Sequence, residues 1–410
     1  MGKVAGKVCP SQKVFRDKRY LAEVLPVPNG KIRHEGSEYV SFSSNDYLAL
    51  SSHPGVIDAV KQALSLGIGT GASRLMAGST TSHHLLEDKV AEFKSKPAAL
   101  VFNSGYQANV GIIPSLVSRG DCVFSDRFNH ASIVDGIMLS GARCFRFRHN
   151  DAGHLEELVR KNRKDHKKAL IVTESVFSMD GDAAPLDSIV KIKRSNDCLM
   201  MVDEAHATGI LGPGGSGLVC GEGLSRDVDI IMGTFSKALG VFGAYAAMDI
   251  PLKELLINRC RSFIYSTALP ASVVAGCSAA IDIAREESWR RKDLIYKACF
   301  FREKMGGLLR DLNESVLSQA VSGGPETIYG ASLVSGSSQI VPVVLRESSA
   351  ALRISTALRE KGWWVTAVRP PTVPPGTARL RVSVTTRHDI GTLERFAGDI
   401  ADSIEKEAKK

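Results

Sequence analysis

The chemistry begins with one lysine set among small residues. Gly233-Thr-Phe-Ser-Lys237-Ala-Leu-Gly240 follows an apolar, strand-like run from Val228 to Met232. An amine in a poorly solvated setting loses its proton near neutral pH and becomes a nucleophile toward a carbonyl, because burial disfavours the ammonium form. Thr234 and Ser236 place hydroxyls beside it, as a phosphate neighbour requires. Taken alone, a lysine after a strand reads equally well as a solvated surface charge.

A second stretch lies upstream. Cys198 to Val202 reads as a buried strand that runs into Asp203-Glu-Ala-His206-Ala-Thr-Gly209. A carboxylate at the carboxyl end of a buried strand sits where open α/β sheets bind ligands. By itself Asp203 is also a helix cap and His206 a satisfied surface histidine. Together with Lys237 they match what pyridoxal phosphate demands: a lysine for its aldehyde, a carboxylate for its ring nitrogen, a partner for its ring oxygen.

Three further turns belong to the same end of the sheet. Ser104-Gly105-Tyr106-Gln-Ala-Asn109 follows the apolar run ending at Phe102, and strand, glycine turn, then helix is how backbone amides are aimed at a phosphate. It is also a common strand-to-helix turn. Asp126-Arg-Phe-Asn129-His130-Ala-Ser132 offers an imidazole to stack on a flat ring, and Glu174-Ser-Val-Phe-Ser178-Met-Asp-Gly-Asp182 a carboxylate and a hydroxyl. One rim thus collects residues 105, 106, 130, 174, 178, 203, 206, 234 and 237. Gly212-Pro-Gly214-Gly-Ser-Gly217 matches a dinucleotide-binding pattern, but no strand precedes it directly and no acidic residue follows at the required distance. It reads as a surface loop.

The elements that must carry these residues are legible from periodicity. Short apolar runs at 98–102, 122–124, 143–147, 169–173, 198–202, 229–232 and 243–248 alternate with helical patterns, which predicts βαβ units and a mainly parallel sheet. Amphipathic helices are expected from Val56 and over 82–94. The domain reading is an N-terminal arm over 1–49, a large domain over 50–285 and a small C-terminal α+β domain over 286–410. In the last, strands are expected at 339–345, 363–368 and 379–384, with helices over 349–361 and from 390.

Composition bounds the function. At 410 residues, 44% hydrophobic and 23% charged, the chain has ordinary globular proportions. Apolar runs are too short for a membrane span, and no signal peptide is read at the N-terminus. Eight cysteines are scattered without Cys-x-x-Cys pairs, which suits a reducing cytoplasm and argues against zinc or a disulfide frame. The net charge of +8 is diffuse, without the basic and aromatic stripe of a nucleic-acid binder.

Ser44-Asn-Asp-Tyr-Leu48, Asn129-His-Ala-Ser132, Val176-Phe-Ser-Met-Asp-Gly-Asp182, Asp203-Glu-Ala-His206 and Thr234-Phe-Ser-Lys237 together resemble the α-oxoamine synthases. These fold-type I pyridoxal-phosphate enzymes condense an amino acid with an acyl thioester and release carbon dioxide. The resemblance spans about residues 40–400 and implies a large, mainly parallel seven-stranded-type sheet domain followed by the small domain. Within the family, Trp364-Val-Thr-Ala-Val-Arg369-Pro-Pro-Thr372-Val-Pro-Pro-Gly376-Thr-Ala-Arg379-Leu-Arg381 is similar to the branch that joins L-alanine to a pimeloyl thioester, carried by coenzyme A or by an acyl carrier protein. The rival branch takes glycine and a short acyl group; partner subunits of the same fold that lack the lysine are a further alternative, against which Lys237 speaks.

The resemblance implies these roles. Lys237 holds the cofactor and moves protons, Asp203 meets the ring nitrogen, His206 the ring oxygen, and His130 stacks on the ring. Gly105, Tyr106, Ser178 and Thr234 hold the phosphate or ring substituents, with Glu174 on the same rim. Asn45 and Arg381 are candidates for substrate carboxylates and Thr372 for the acyl substrate, beside Arg369 in the stiff Pro-Pro turn. Tyr265-Ser266-Thr267 is expected to reach the cofactor phosphate of a neighbouring subunit, so a homodimer is expected. The family's arm supplies an arginine for the acyl chain's far carboxylate, met here by Arg19 or Arg16. Ser236 departs from the glycine common in the alanine-using branch. No metal, nucleic acid or membrane partner is implied.

Overall fold

A computed structural model describes residues 21–321 and 331–409, the side chains of 315–321 excepted. Arg16 and Arg19 lie outside the described residues. Three N-terminal strands, β1 (Leu25–Val27), β2 (Lys31–His34) and β3 (Ser37–Ser41), precede the large sheet. That sheet comprises β4 (Ala98–Phe102), β5 (Cys122–Asp126), β6 (Arg143–Phe147), β7 (Ala169–Glu174), β8 (Leu199–Asp203), β9 (Ile230–Thr234) and β10 (Ala244–Met248), in the order β4-β10-β9-β8-β7-β5-β6. Strand β10 is antiparallel to both neighbours, and the other pairings are parallel.

The strands read as continuous apolar runs because both faces are covered. In β7, Ala169 and Ile171 face one core while Leu170 and Val172 face the other. The parallel ladder between β7 and β8 sets Glu174 opposite Asp203, so two carboxylates meet at one edge of the sheet.

The C-terminal part contains β11 (Ser332–Leu333), β12 (Ile340–Arg346), β13 (Trp363–Trp364), β14 (Thr366–Val368) and β15 (Ala378–Ser383). Here the structure departs from the single strand expected over 363–368. The chain breaks at buried Val365: β14 joins β15 in the small sheet β11-β12-β15-β14, whereas β13 pairs in parallel with β3. The N-terminal arm, in which only a short strand over 39–43 is expected from the sequence, thus forms a sheet that docks on the small domain. Phe42, fully buried, stacks on Phe396 (centroids 3.8 Å apart) and on His388 (4.1 Å). Burying that ring contributes about 2–3 kcal/mol, and it anchors the segment that carries Asn45 and Tyr47.

The Gly212–Gly217 stretch is also only partly a surface loop. Residues 215–217 are buried, and a Cβ on Gly217 (φ +105°) would lie 2.0 Å from Oε2 of Glu204. The glycine there serves close approach to a buried carboxylate.

Candidate active site

The carboxyl ends of β4, β5, β7, β8 and β9 deliver their loops to one edge of the large sheet, and the small domain closes over it. Lys237 lies in the turn after β9, held by Gly240 N–H donating to the Lys237 carbonyl (2.9 Å) and Val241 N–H donating to that of Phe235 (2.9 Å). Gly240 has φ +67°, and a Cβ there would meet Ser51 N at 2.2 Å, so only glycine fits. Desolvation pulls the Lys237 ammonium below its ordinary range, with Asp203 and Glu174 opposing. The amine is thereby brought toward its neutral, nucleophilic form.

The two facing carboxylates sit in different surroundings. Asp203 is buried, and it accepts from Asn109 Nδ2 (3.0 Å) and Ala205 N–H (2.9 Å). Glu174 accepts from His130 N–H (2.6 Å), but burial and then the neighbouring Asp203 push its carboxyl up to about 8. Asp203 is thus the better hydrogen-bonded carboxylate of the pair.

Two histidines flank this pair. His206 is buried and neutral, held far below its usual range by burial, then by Lys237 and Arg381. Its Nδ1 lies 2.9 Å from the Tyr47 hydroxyl, which itself donates to Asn45 Oδ1 (2.9 Å). With its one proton so used, Tyr47 accepts from His206 Nδ1–H, which leaves Nε2 as an acceptor. Arg381 joins the chain, donating to Asn45 Oδ1 (3.3 Å), Tyr47 (3.4 Å) and the Ser178 carbonyl (2.6 Å). His130 is exposed, leaving its ring open for a flat partner. Its Nδ1 lies 2.8 Å from Ser132 Oγ and accepts from Ser132 N–H (3.3 Å). Ser132 Oγ in turn accepts from Asn109 Nδ2 (2.9 Å), so the Asn109 amide ties His130 to Asp203. The proton of neutral His130 then resides on Nε2, as a donor.

A cradle for an anion lies between β4 and β9. Ser104 caps the helix Gly105–Leu116, its hydroxyl accepting from Gln107 N–H (3.1 Å). A Cβ at Gly105 would sit 2.8 Å from Thr234 Cγ2, and among the described residues the buried Thr234 hydroxyl has no partner. A helix N-terminus, a glycine that keeps the cradle open and an unpaired hydroxyl suit a phosphate. With the amine, the carboxylate and the two imidazoles, this donor set fits pyridoxal phosphate.

Other expected residues lie further out. Ser178 and Thr372 line one cleft of about 1000 Å³ with His130, beneath the Pro370–Pro375 loop, and Arg369 is partly buried at the base of that loop. Tyr106 is exposed, and its hydroxyl donates to Asp135. Ser266 and Thr267 sit behind the cradle, where Asn103 Nδ2 donates to Ser266 Oγ (3.0 Å) and to the Thr267 carbonyl (2.8 Å).

Sequence reasoning missed Tyr47, Asn109 and Ser132 as site members, although each lies inside a stretch singled out for a neighbour. It also missed the grip of the small domain on the 178–181 turn. Arg379 pairs with Asp180, and Ser338 Oγ donates to the Gly181 carbonyl (2.6 Å). Among the described residues no cluster of His, Cys, Asp or Glu is placed to hold a metal, and no helix is long and apolar enough to cross a membrane.

Known proteins share this arrangement. Residues 37–400 match the family of class I and II aminotransferases. An 8-amino-7-oxononanoate synthase of Geobacter sulfurreducens is 45% identical over 93% of this chain and 93% of its own. One of Saccharophagus degradans is 42% identical over 97% and 95%. Among solved structures, a serine palmitoyltransferase of S. paucimobilis with bound PLP superposes with a TM-score of 0.85, at 30% identity over 95% of this chain and 94% of that one. An 8-amino-7-oxononanoate synthase of Francisella tularensis gives 0.74, at 28% identity over 90% and 98%. The chain belongs to the class I and II aminotransferase family and, within it, to the pyridoxal-phosphate-dependent α-oxoamine synthases.

Proposed function

We propose that this enzyme is an 8-amino-7-oxononanoate synthase. It condenses L-alanine with a pimeloyl thioester, releasing carbon dioxide and the free thiol, a step of biotin biosynthesis. The observation that carries the reading is the meeting of a desolvated Lys237 amine with the buried, hydrogen-bonded Asp203, within one rim closed by Arg381, Asn45 and Tyr47. Identity of 45% to a synthase of that name across nearly the whole chain supports the choice of branch.

The residues divide the work as follows. Lys237 would hold the cofactor's aldehyde carbon, Asp203 its ring nitrogen, His206 its ring oxygen, and the Gly105 turn with Thr234 its phosphate, with His130 against the ring. When bound, the cofactor supplies an electron sink for the bond broken at the alanine α-carbon. Asp203 keeps a proton on the ring nitrogen, which that sink needs. Arg381 and Asn45 bind the alanine carboxylate. Lys237 removes the α-proton and later returns one after decarboxylation. His130, a donor through Nε2, polarises the thioester carbonyl as negative charge develops there. The thiol leaves from that carbonyl carbon as the new carbon–carbon bond forms.

We further propose a cytoplasmic homodimer, in which the exposed Tyr265 turn faces the second subunit's site. The unpaired cysteines at 122, 144, 198, 220, 260, 277 and 299 suit that compartment. A fully active monomer in sedimentation at assay concentration would contradict the dimer. The substrate test is a matrix of L-alanine, glycine and L-serine against pimeloyl, acetyl and palmitoyl thioesters, following thiol release. L-alanine with the pimeloyl thioester is expected to turn over fastest. Faster glycine with acetyl, or serine with palmitoyl, would move the enzyme to another branch and leave the roles of Lys237, Asp203 and His206 intact.

A further inference from the structure

The cleft of about 1000 Å³ that reaches His130 and Ser178 is also lined by Arg127, Arg146 and Arg148. All three are exposed, and the sheet register brings them together. Parallel β5 and β6 pair Ser125 with Arg146 and Asp126 with Phe147, and Arg127 N–H extends that ladder to the Phe147 carbonyl (3.1 Å). Three guanidinium groups thus project from the carboxyl ends of two adjacent strands.

The acidic groups nearby are already committed. Asp126 and Asp182 both meet His149, at 3.0 and 2.8 Å, and Asp180 pairs with Arg379. Asp151 pairs with Arg148 at 2.8 Å. Arg127 lies over the Phe128 ring, 5.2 Å from its centroid, and among the described residues neither Arg127 nor Arg146 has a carboxylate partner. The cleft mouth therefore carries surplus positive charge in a form suited to phosphate, since a guanidinium fork matches two oxygens at once. A single acyl carboxylate does not require three such groups.

We propose that Arg127 and Arg146, with Arg148 beside them, bind the phosphate groups of the pantetheine arm that delivers the acyl thioester. This rests on the thioester-condensing reading above and deepens it. The carrier enters past the arginines, its phosphates stay at the mouth, and the uncharged arm runs between the Pro370–Pro375 loop and the Phe128 turn toward His130. The shared chemistry is a phosphorylated pantetheine, from coenzyme A or from a carrier protein.

The test compares pimeloyl-pantetheine, which has no phosphate, with pimeloyl-CoA and a pimeloyl-loaded carrier protein, all with L-alanine and holoenzyme. In the double variant Arg127→Gln, Arg146→Gln, the preference in kcat/KM for the charged carrier over pimeloyl-pantetheine is expected to fall about tenfold or more. Raising ionic strength should erode the same preference in the unmodified enzyme. Whichever carrier loses its advantage is the one these arginines read. Equal losses on all three thioesters would overturn the proposal, because the arginines would then serve the acyl end. An unchanged preference for both charged carriers would overturn it too. Free CoA titrated calorimetrically into the holoenzyme gives a second readout, and equal affinity for both proteins counts against the proposal. Absence of turnover with every pimeloyl thioester would instead count against the proposed function, and the titration would still decide the arginines.

Discussion

Lys94→Met should be among the most destabilising single changes in the large domain. Lys94 follows the helix Thr81–Phe93, and its side chain is fully buried. Its three ammonium protons have three acceptors: Glu204 Oε2 at 2.8 Å, Thr208 Oγ1 at 3.2 Å and the Ser216 carbonyl at 2.5 Å. The other Glu204 oxygen accepts from Val219 N–H at 2.8 Å. Burial alone would lower the ammonium's pKa, but the adjacent carboxylate more than offsets it and the net shift is upward. Methionine keeps the stem and removes the charge. Glu204 is then left buried with one donor and no cation, a loss of about 3–5 kcal/mol by the usual cost of orphaning one member of a buried pair. That is a large share of a domain stability of about 5–15 kcal/mol. Because Trp289, Trp363 and Trp364 all lie outside the large sheet, far-UV circular dichroism in urea is the better probe than tryptophan fluorescence. Adding Glu204→Gln should restore at least about 2 kcal/mol, since the pair is coupled. A single-variant loss below about 1 kcal/mol, with no recovery in the double variant, would refute the reasoning.

Three other outcomes are expected. Lys237→Ala should abolish borohydride-fixable cofactor and nearly all turnover, whereas a retained reducible linkage would assign the amine elsewhere. Ser132→Ala breaks the bridge from Asn109 to His130 and should lower kcat about tenfold, the worth of one buried hydrogen bond, with KM for alanine little changed; equal kcat would remove Ser132 from the site. His149 loses basicity by burial, but the hydrogen bonds its ring donates to Asp126 and Asp182 dominate and raise it to about 9. Its contribution, at most roughly 3 kcal/mol, is thus fully present below its unfolded value near 6.5 and is lost as pH rises through about 9. His149→Gln should flatten the fall in stability across that window, measured as urea midpoints from pH 6 to 10, and an unchanged slope would count against the clamp.

The rim was readable because the sheet imposes a rule. Strands covered on both faces carry apolar residues throughout, so the first polar residues after each run mark the carboxyl edge of the sheet, where Glu174, Asp203 and Thr234 all lie. What stayed hidden depends on partners far along the chain. Lys94 resembles any lysine near the end of an amphipathic helix, and its partner Glu204 is 110 residues away. His149 gave no local signal, since its meaning comes from Asp126 at the end of β5 and Asp182 in the loop after β7. The split at Val365 was equally silent: two aromatic residues and three alternating ones read as one strand, until β3 supplies a partner for the first two.

Residue type also says little about protonation, and here protonation decides the chemistry. Glu174 and Asp203 occupy equivalent positions on adjacent parallel strands, and both could serve a ring nitrogen by type alone. The division follows from what surrounds them. Asp203 receives a side-chain amide and a backbone N–H, whereas desolvation and the charge of Asp203 itself hold Glu174 protonated up to about 8. The same desolvation keeps His206 neutral and draws Lys237 toward its free amine. A second ionised carboxylate beside Lys237 would favour its ammonium form and blunt the nucleophile. A neutral glutamic acid avoids stabilising the protonated lysine in this way.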